Sequence, residues 1–165
     1  MKPRIGVLGP NVTTPEQHAL GVEVGRLIAE RGAILLCGGL GGMMAAAAEG
    51  AQAAGGQTVG ILPGDDATAA NDFIDLPIPT GLGAYRNAVL VRACDVVIAV
   101  HGAYGTLSEI AFALRLGVPV VGLHTWSVHR DGQPDPGIHV AQTAAEAIER
   151  ALELKNHQTT CSGAS

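Results

Sequence analysis

The chain has 165 residues, of which 47% are apolar and 3% aromatic, and a formal net charge of −5. That length suits one domain with a sizeable core, and the composition excludes a disordered or low-complexity chain. There is no basic stripe interleaved with aromatics, which sets nucleic acid aside as a partner.

Two further classes fall to the lysine count. Only Lys2 and Lys155 are present, both near the termini. A P-loop needs a lysine straight after its glycines, and a pyridoxal phosphate enzyme needs one for its Schiff base. No apolar run reaches the roughly 18 residues of a membrane span. Residues 1–7 run directly into a strand pattern without the features of a leader. A cytoplasmic protein with no membrane partner is therefore expected. Cys37, Cys94 and Cys161 are odd in number and widely spaced, as reduced thiols are.

In chain order, Ile5–Leu8 reads as a short buried strand. Pro15–Arg31 has helical spacing, with Ala19, Val22, Val24, Leu27 and Ile28 on its apolar face and Thr14 as its cap. Ala33–Cys37 is a second strand, residues 38–42 a glycine loop, and Met43–Ala54 an alanine-rich helix. Gln57–Leu62 is a third strand, Pro63–Asn71 a polar loop, and Asp72–Ile78 contains a fourth strand. Gly81–Ala93 carries a helix, Asp95–Val100 a strand, Thr106–Leu116 a helix and Val118–Leu123 a sixth strand. A loop rich in His, Asp, Gly and Pro covers His124–Gly137, and the last helix is Ala141–Leu154. The boundaries imply one domain over residues 1–155 and a flexible tail over 156–165.

This order predicts an α/β, Rossmann-like fold: a mostly parallel sheet of about six or seven strands with helices on both faces. Ligands of such sheets sit beyond the carboxyl ends of the strands. The glycine clusters fall there: Gly9, then Gly38, Gly39, Gly41 and Gly42 before Met43, then Gly102-Ala103-Tyr104-Gly105-Thr106. The last follows a strand and opens a helix, an arrangement that binds anions without lysine. Its plainer reading is a tight turn with Thr106 as N-cap. Thr106-Leu107-Ser108-Glu109 likewise matches a capping box, and composition alone favours that role for Glu109. Arg86 at a helix start opposes the helix dipole; taken alone it reads as a surface arginine. His124, His129 and His139 are too loosely spaced for a metal site, and no metal is expected.

The three motifs together, residues 38–43, Thr80-Gly81-Leu82-Gly83-Ala84-Tyr85-Arg86-Asn87, and Gly102 to Ile110, resemble the superfamily of the Lonely Guy phosphoribohydrolases. The resemblance runs from about Arg4 to about Leu123 and is closer to the molybdenum-cofactor-carrier-like branch, a bacterial group often mislabelled as lysine decarboxylases. It implies that Gly102 to Thr106 hold a 5′-phosphate, with Gly9, the 38–43 loop and Asn87 as further ligand contacts. If the chain is an enzyme, the resemblance makes Arg86 and Glu109 its catalytic pair, cleaving the N-glycosidic bond of nucleoside 5′-monophosphates. The alternative is a carrier or sensor that holds the molybdenum cofactor or a nucleotide without catalysis. No cofactor is required in the first case. The resemblance also implies a homodimer or homotetramer. His101 stands where the enzymes have glycine and is expected to intrude on the pocket.

Overall fold

A computed structural model describes the backbone of residues 1–161 and the side chains to residue 157. The strands are β1 (Arg4–Leu8), β2 (Ile34–Cys37), β3 (Gln57–Leu62), β4 (Leu76–Pro79), β5 (Val96–Val100), β6 (Val120–Leu123), β7 (His129–Arg130), β8 (Gln133–Pro134) and β9 (Ile138–Ala141). The helices are α1 (Pro15–Glu30), α2 (Met43–Ala53), α3 (Arg86–Ala93), α4 (Tyr104–Leu116) and α5 (Ala144–Cys161). Seven strands form one sheet in the order β4-β3-β2-β1-β5-β6-β9, with every pairing parallel. The expected α/β, Rossmann-like architecture is what the chain adopts.

The sheet is buried on both faces, which is why its strands read as continuous apolar runs. Alternate residues serve opposite layers. Ile5, Val7, Leu35, Cys37, Ile98 and Val100 pack with α1, α2 and α5. Leu8, Leu36, Ile61, Val97 and Ala99 face Leu90 and Val91 of α3 and Ile110 and Ala113 of α4. Chain order reverses between β1 and β5, so the crevice beyond their carboxyl ends is the expected ligand position. Arg4 and Asp95 tie the same two strands at the opposite edge, with Arg4 Nη2 2.6 Å from Asp95 Oδ1. At the outer edge, Pro77 and Pro79 of β4 offer no N–H to a further strand.

Several boundaries differ from the sequence reading. The loop after β6 is not irregular throughout: it forms the small antiparallel β7–β8 hairpin and then β9, the seventh strand of the sheet. Ala141 therefore ends a strand and does not start a helix. Helix α5 begins at Ala144, where Thr143 Oγ1 accepts from Glu146 N at 3.2 Å and Glu146 accepts from Gln142 N at 2.8 Å. It continues through residue 161, so the expected domain–tail boundary falls within a helix; residues 162–165 of that tail lie outside the described residues. Ala19, expected on the apolar face of α1, is exposed; Gly21, Val24, Gly25 and Ile28 are buried.

Candidate functional site

The crevice between β1 and β5 opens into a cavity of about 140 Å³. Gly9, Pro10 and Asn11 after β1 form one wall, and Gly38 with Met44 at the start of α2 a second. Arg86 and Asn87 opening α3 form a third, and Ala103, Gly105, Thr106 and Glu109 of α4 close it.

The helices around this cavity begin differently from the others. Thr14 caps α1 through a complete capping box with Gln17, and Thr143 caps α5. By contrast α4 starts one residue after Ala103, which has no side-chain acceptor. Leu107 N is the first amide of α4 with a backbone partner, Ala103 O at 3.0 Å. Among the described residues, the amides of Tyr104, Gly105 and Thr106 have no partner. Uncapped amides at a helix N-terminus are the donors that hold phosphate. Thr106 is thus inside the first turn and not the N-cap, and the expected capping box with Glu109 does not form.

Glu109 points its carboxyl into the cavity instead, with the residue only 8% exposed. Burial raises its pKa from 4.5 to about 7, partly opposed by Arg86. Arg86 is also 8% exposed, so it is not the surface residue its helix position suggested. Its Nη1 donates to the Ile61 carbonyl at 2.7 Å, and burial lowers its pKa while Glu109 and Cys37 oppose the shift. Arg86 and Glu109 are not in ion-pair contact, so each keeps hydrogen-bonding capacity for a ligand. Cys37 lies beneath, its thiol pushed up to about 11 by burial; it is protonated at neutral pH and so no nucleophile there.

Glycine at position 38 leaves room for the Arg86 guanidinium. A Cβ there would lie 2.1 Å from Arg86 Nη1 and 2.6 Å from Nη2. Gly38→Ala is expected to displace the guanidinium and its bond to Ile61. Losing one hydrogen bond to a charged group is worth about 1.5–3 kcal/mol, so Tm should fall by roughly 3–12 °C. Thermal unfolding checks this; an unchanged Tm would show that the guanidinium keeps its bond beside alanine.

Of the residues singled out from sequence, Gly9, Gly38, Arg86, Asn87, Ala103, Gly105, Thr106 and Glu109 line this cavity. Gly39, Gly41, Gly42, Met43 and Tyr104 do not. Met43 is fully buried, and its amide donates to Pro10 O at 2.9 Å, so it anchors the loop after β1. Tyr104 is exposed, and its ring centroid lies 5.5 Å from that of Trp126. Asn11 and Met44 were missed, although Gly9-Pro10-Asn11 straight after a strand is itself a loop signal.

Gly102 lines a second, outer chamber, a shallow depression of about 580 Å³ that is largely open to solvent, together with Pro10, Val12, Gln17, His101 and Ala103. His124, Thr125, Trp126 and Ser127 complete it. The chambers share Pro10 and Ala103 as walls. His101 lies in the outer chamber, so it does not intrude on the inner cavity as expected. Both His101 and His124 have positive φ, 52° and 54°. For side chains other than glycine such backbone costs about 1–3 kcal/mol each and clusters at functional sites.

Together these features define a Rossmann-like protein with a cavity at the topological switch point, lined by an uncapped helix start and a buried arginine. The chain belongs to the SLOG cluster4 family, whose model matches residues 2–154. It is 36% identical to a molybdenum cofactor binding protein from Rippkaea orientalis, with a TM-score of 0.83 over 93% of this chain and 98% of that one. The molybdenum cofactor carrier protein from Chlamydomonas reinhardtii is 38% identical, with a TM-score of 0.82 and the same coverage. An uncharacterized protein from Archaeoglobus fulgidus is 42% identical over 149 residues, covering 90% of this chain and 94% of that protein. The resemblance to the Lonely Guy superfamily and its carrier-like branch holds.

Proposed function

We propose that the chain binds a phosphorylated pterin of the molybdenum cofactor class as cargo, with the phosphate in the inner cavity. The observation that carries this reading is the uncapped start of α4 beside Arg86: Gly105 and Thr106, whose amides have no partner among the described residues, and a buried guanidinium line one small cavity. The inner volume suits a phosphate and the atoms next to it. A fused heterocycle needs more room, since sites for molecules of that size run to roughly 300–1,000 Å³. The adjoining outer chamber supplies it. The likeness to two molybdenum cofactor proteins across nearly their whole length supports this cargo over others.

Hydrolysis of nucleoside 5′-monophosphates is the second reading, favoured by one observation. Arg86 and Glu109 do share the cavity, and a carboxyl with a pKa of about 7 can exchange a proton at neutral pH. One preparation tests both. Mass spectrometry of the fraction released by denaturing freshly purified protein should show a phosphorylated pterin in wild type and none in Arg86→Ala. A preparation with no pterin that frees adenine from AMP would overturn the carrier reading in favour of hydrolysis. The apolar side chains exposed on α3 and at the end of α4, among them Val89 and Leu116, support the expected homo-oligomer.

A further inference from the structure

We propose that His101 and His124 form a second oxyanion subsite in the outer chamber, which takes a tetrahedral oxyanion or an oxo-metal group at the far end of the ligand. The inference extends the carrier reading to a second contact of the same ligand and is tested apart from it.

The argument begins with register. Val100 and Leu123 are paired at the ends of β5 and β6, so His101 and His124 leave the sheet side by side. Both then take the same left-handed backbone, and their rings stack with centroids 5.5 Å apart and planes 29° from parallel. The backbone that carries them is pinned. His101 N donates to Leu123 O at 3.0 Å, Thr125 Oγ1 donates to His101 O at 2.5 Å, and Trp126 Nε1 donates to Ala103 O at 3.1 Å. Two imidazoles are thereby held together on the wall of a chamber that adjoins the inner cavity.

The chemistry of the lining selects the ligand. Among the described residues no carboxylate lines the outer chamber. Gln17 of α1, Thr125 and Ser127 are neutral, and Ser127 Oγ lies 3.4 Å from His129 Nδ1 at the start of the hairpin. Nothing there balances a cation, and no group of three or more metal-ligating side chains is assembled among the described residues. Burial, and then His124, hold the His101 pKa below its ordinary value, so free His101 resists taking up a proton. An anion between or across the rings reverses that balance, and protons enter with it. Each protonated imidazole then donates a charge-assisted hydrogen bond. Arg86 and Glu109 face the inner cavity and belong to the phosphate end.

Equilibrium dialysis with molybdate, and separately with inorganic phosphate, tests this at about pH 6 and about pH 8, on either side of the histidine range. The comparison is wild type against H101N/H124N, because asparagine tolerates the left-handed backbone. Wild type should bind two equivalents of molybdate at the lower pH, with the second weakened about tenfold or more at the higher pH. The double variant should bind one equivalent at both. A second equivalent of phosphate under the same conditions would show that any tetrahedral oxyanion is accepted; molybdate alone would mark the subsite as selective for the metal oxyanion. Equal stoichiometry and pH dependence in wild type and variant would overturn the subsite and leave the phosphate cavity intact. A variant that binds nothing, while wild type gains one equivalent only at low pH, would sustain the subsite and count against the inner cavity. H101G/H124G, whose glycines fit positive φ without strain, guards against loss of folding.

Discussion

Glu109→Gln is expected to stabilise the fold as pH rises, at the same time as it removes the one carboxylate lining the inner cavity. The sign follows from the raised pKa. Between its ordinary value of 4.5 and about 7, the folded chain keeps a proton that the unfolded chain has already lost. The stability tied to that proton is fully present below pH 4.5 and is lost as pH rises through about 7. The shift corresponds to ~3 kcal/mol between acid and alkaline conditions. Glutamine has no charge to desolvate, so its advantage over wild type should grow by that amount between about pH 4 and pH 8. For a chain of this size the change is roughly 6–12 °C in Tm. Thermal unfolding of both proteins across that range is the measurement. A constant difference would mean that Glu109 titrates alike in the folded and unfolded chain, with no shift from its ordinary value. Should the chain prove hydrolytic, the same variant should lose turnover, and the stability gained would then accompany lost activity.

The second large effect lies away from the cavity, where α1 crosses α2. A Cβ on Gly25 would fall 1.8 Å from the Ala47 carbonyl oxygen, and one on Gly50 would fall 1.9 Å from the Val22 carbonyl oxygen. Each helix presents a glycine to the other's backbone, and backbone cannot rotate aside as a side chain can. Gly25→Ala must push the helices apart, and we expect a loss of about 3 kcal/mol, at the upper end for overpacking. That is again roughly 6–12 °C in Tm. Helix α2 carries Met44 of the cavity wall, so anion binding should weaken in the fraction that still folds. Calorimetry decides it: a variant that melts with wild type would show that the two backbones are not in contact.

The sequence carried much of this arrangement. Alternating strand and helix patterns gave the parallel sheet, and the placement of glycines after strands gave the edge at which the cavity lies. The errors have physical causes. A threonine stands three residues before Gln or Glu in Thr14 to Gln17, Thr106 to Glu109 and Thr143 to Glu146 alike. The first and third are caps. In the second, the chain turns through positive φ at His101 and Gly102 and enters the helix at Tyr104, which carries Thr106 and Glu109 inside. Sequence spacing cannot report that two-residue displacement. Strand β9 was hidden for another reason: it is four residues long, only Ala141 of them is buried, and it follows a stretch of polar turn residues at a sheet edge. The His101–His124 pairing needed the register of β5 and β6, which local pattern does not contain.

Trp126 is the only tryptophan of the chain. Its indole N–H is bonded to Ala103 O, the residue immediately before the uncapped amides, and its ring lies beside Tyr104. Any ligand that reorders the loop after β5 alters the surroundings of this single fluorophore. The molecule therefore carries a built-in optical reporter beside the start of α4, so that any ligand binding there can be followed by emission without a label.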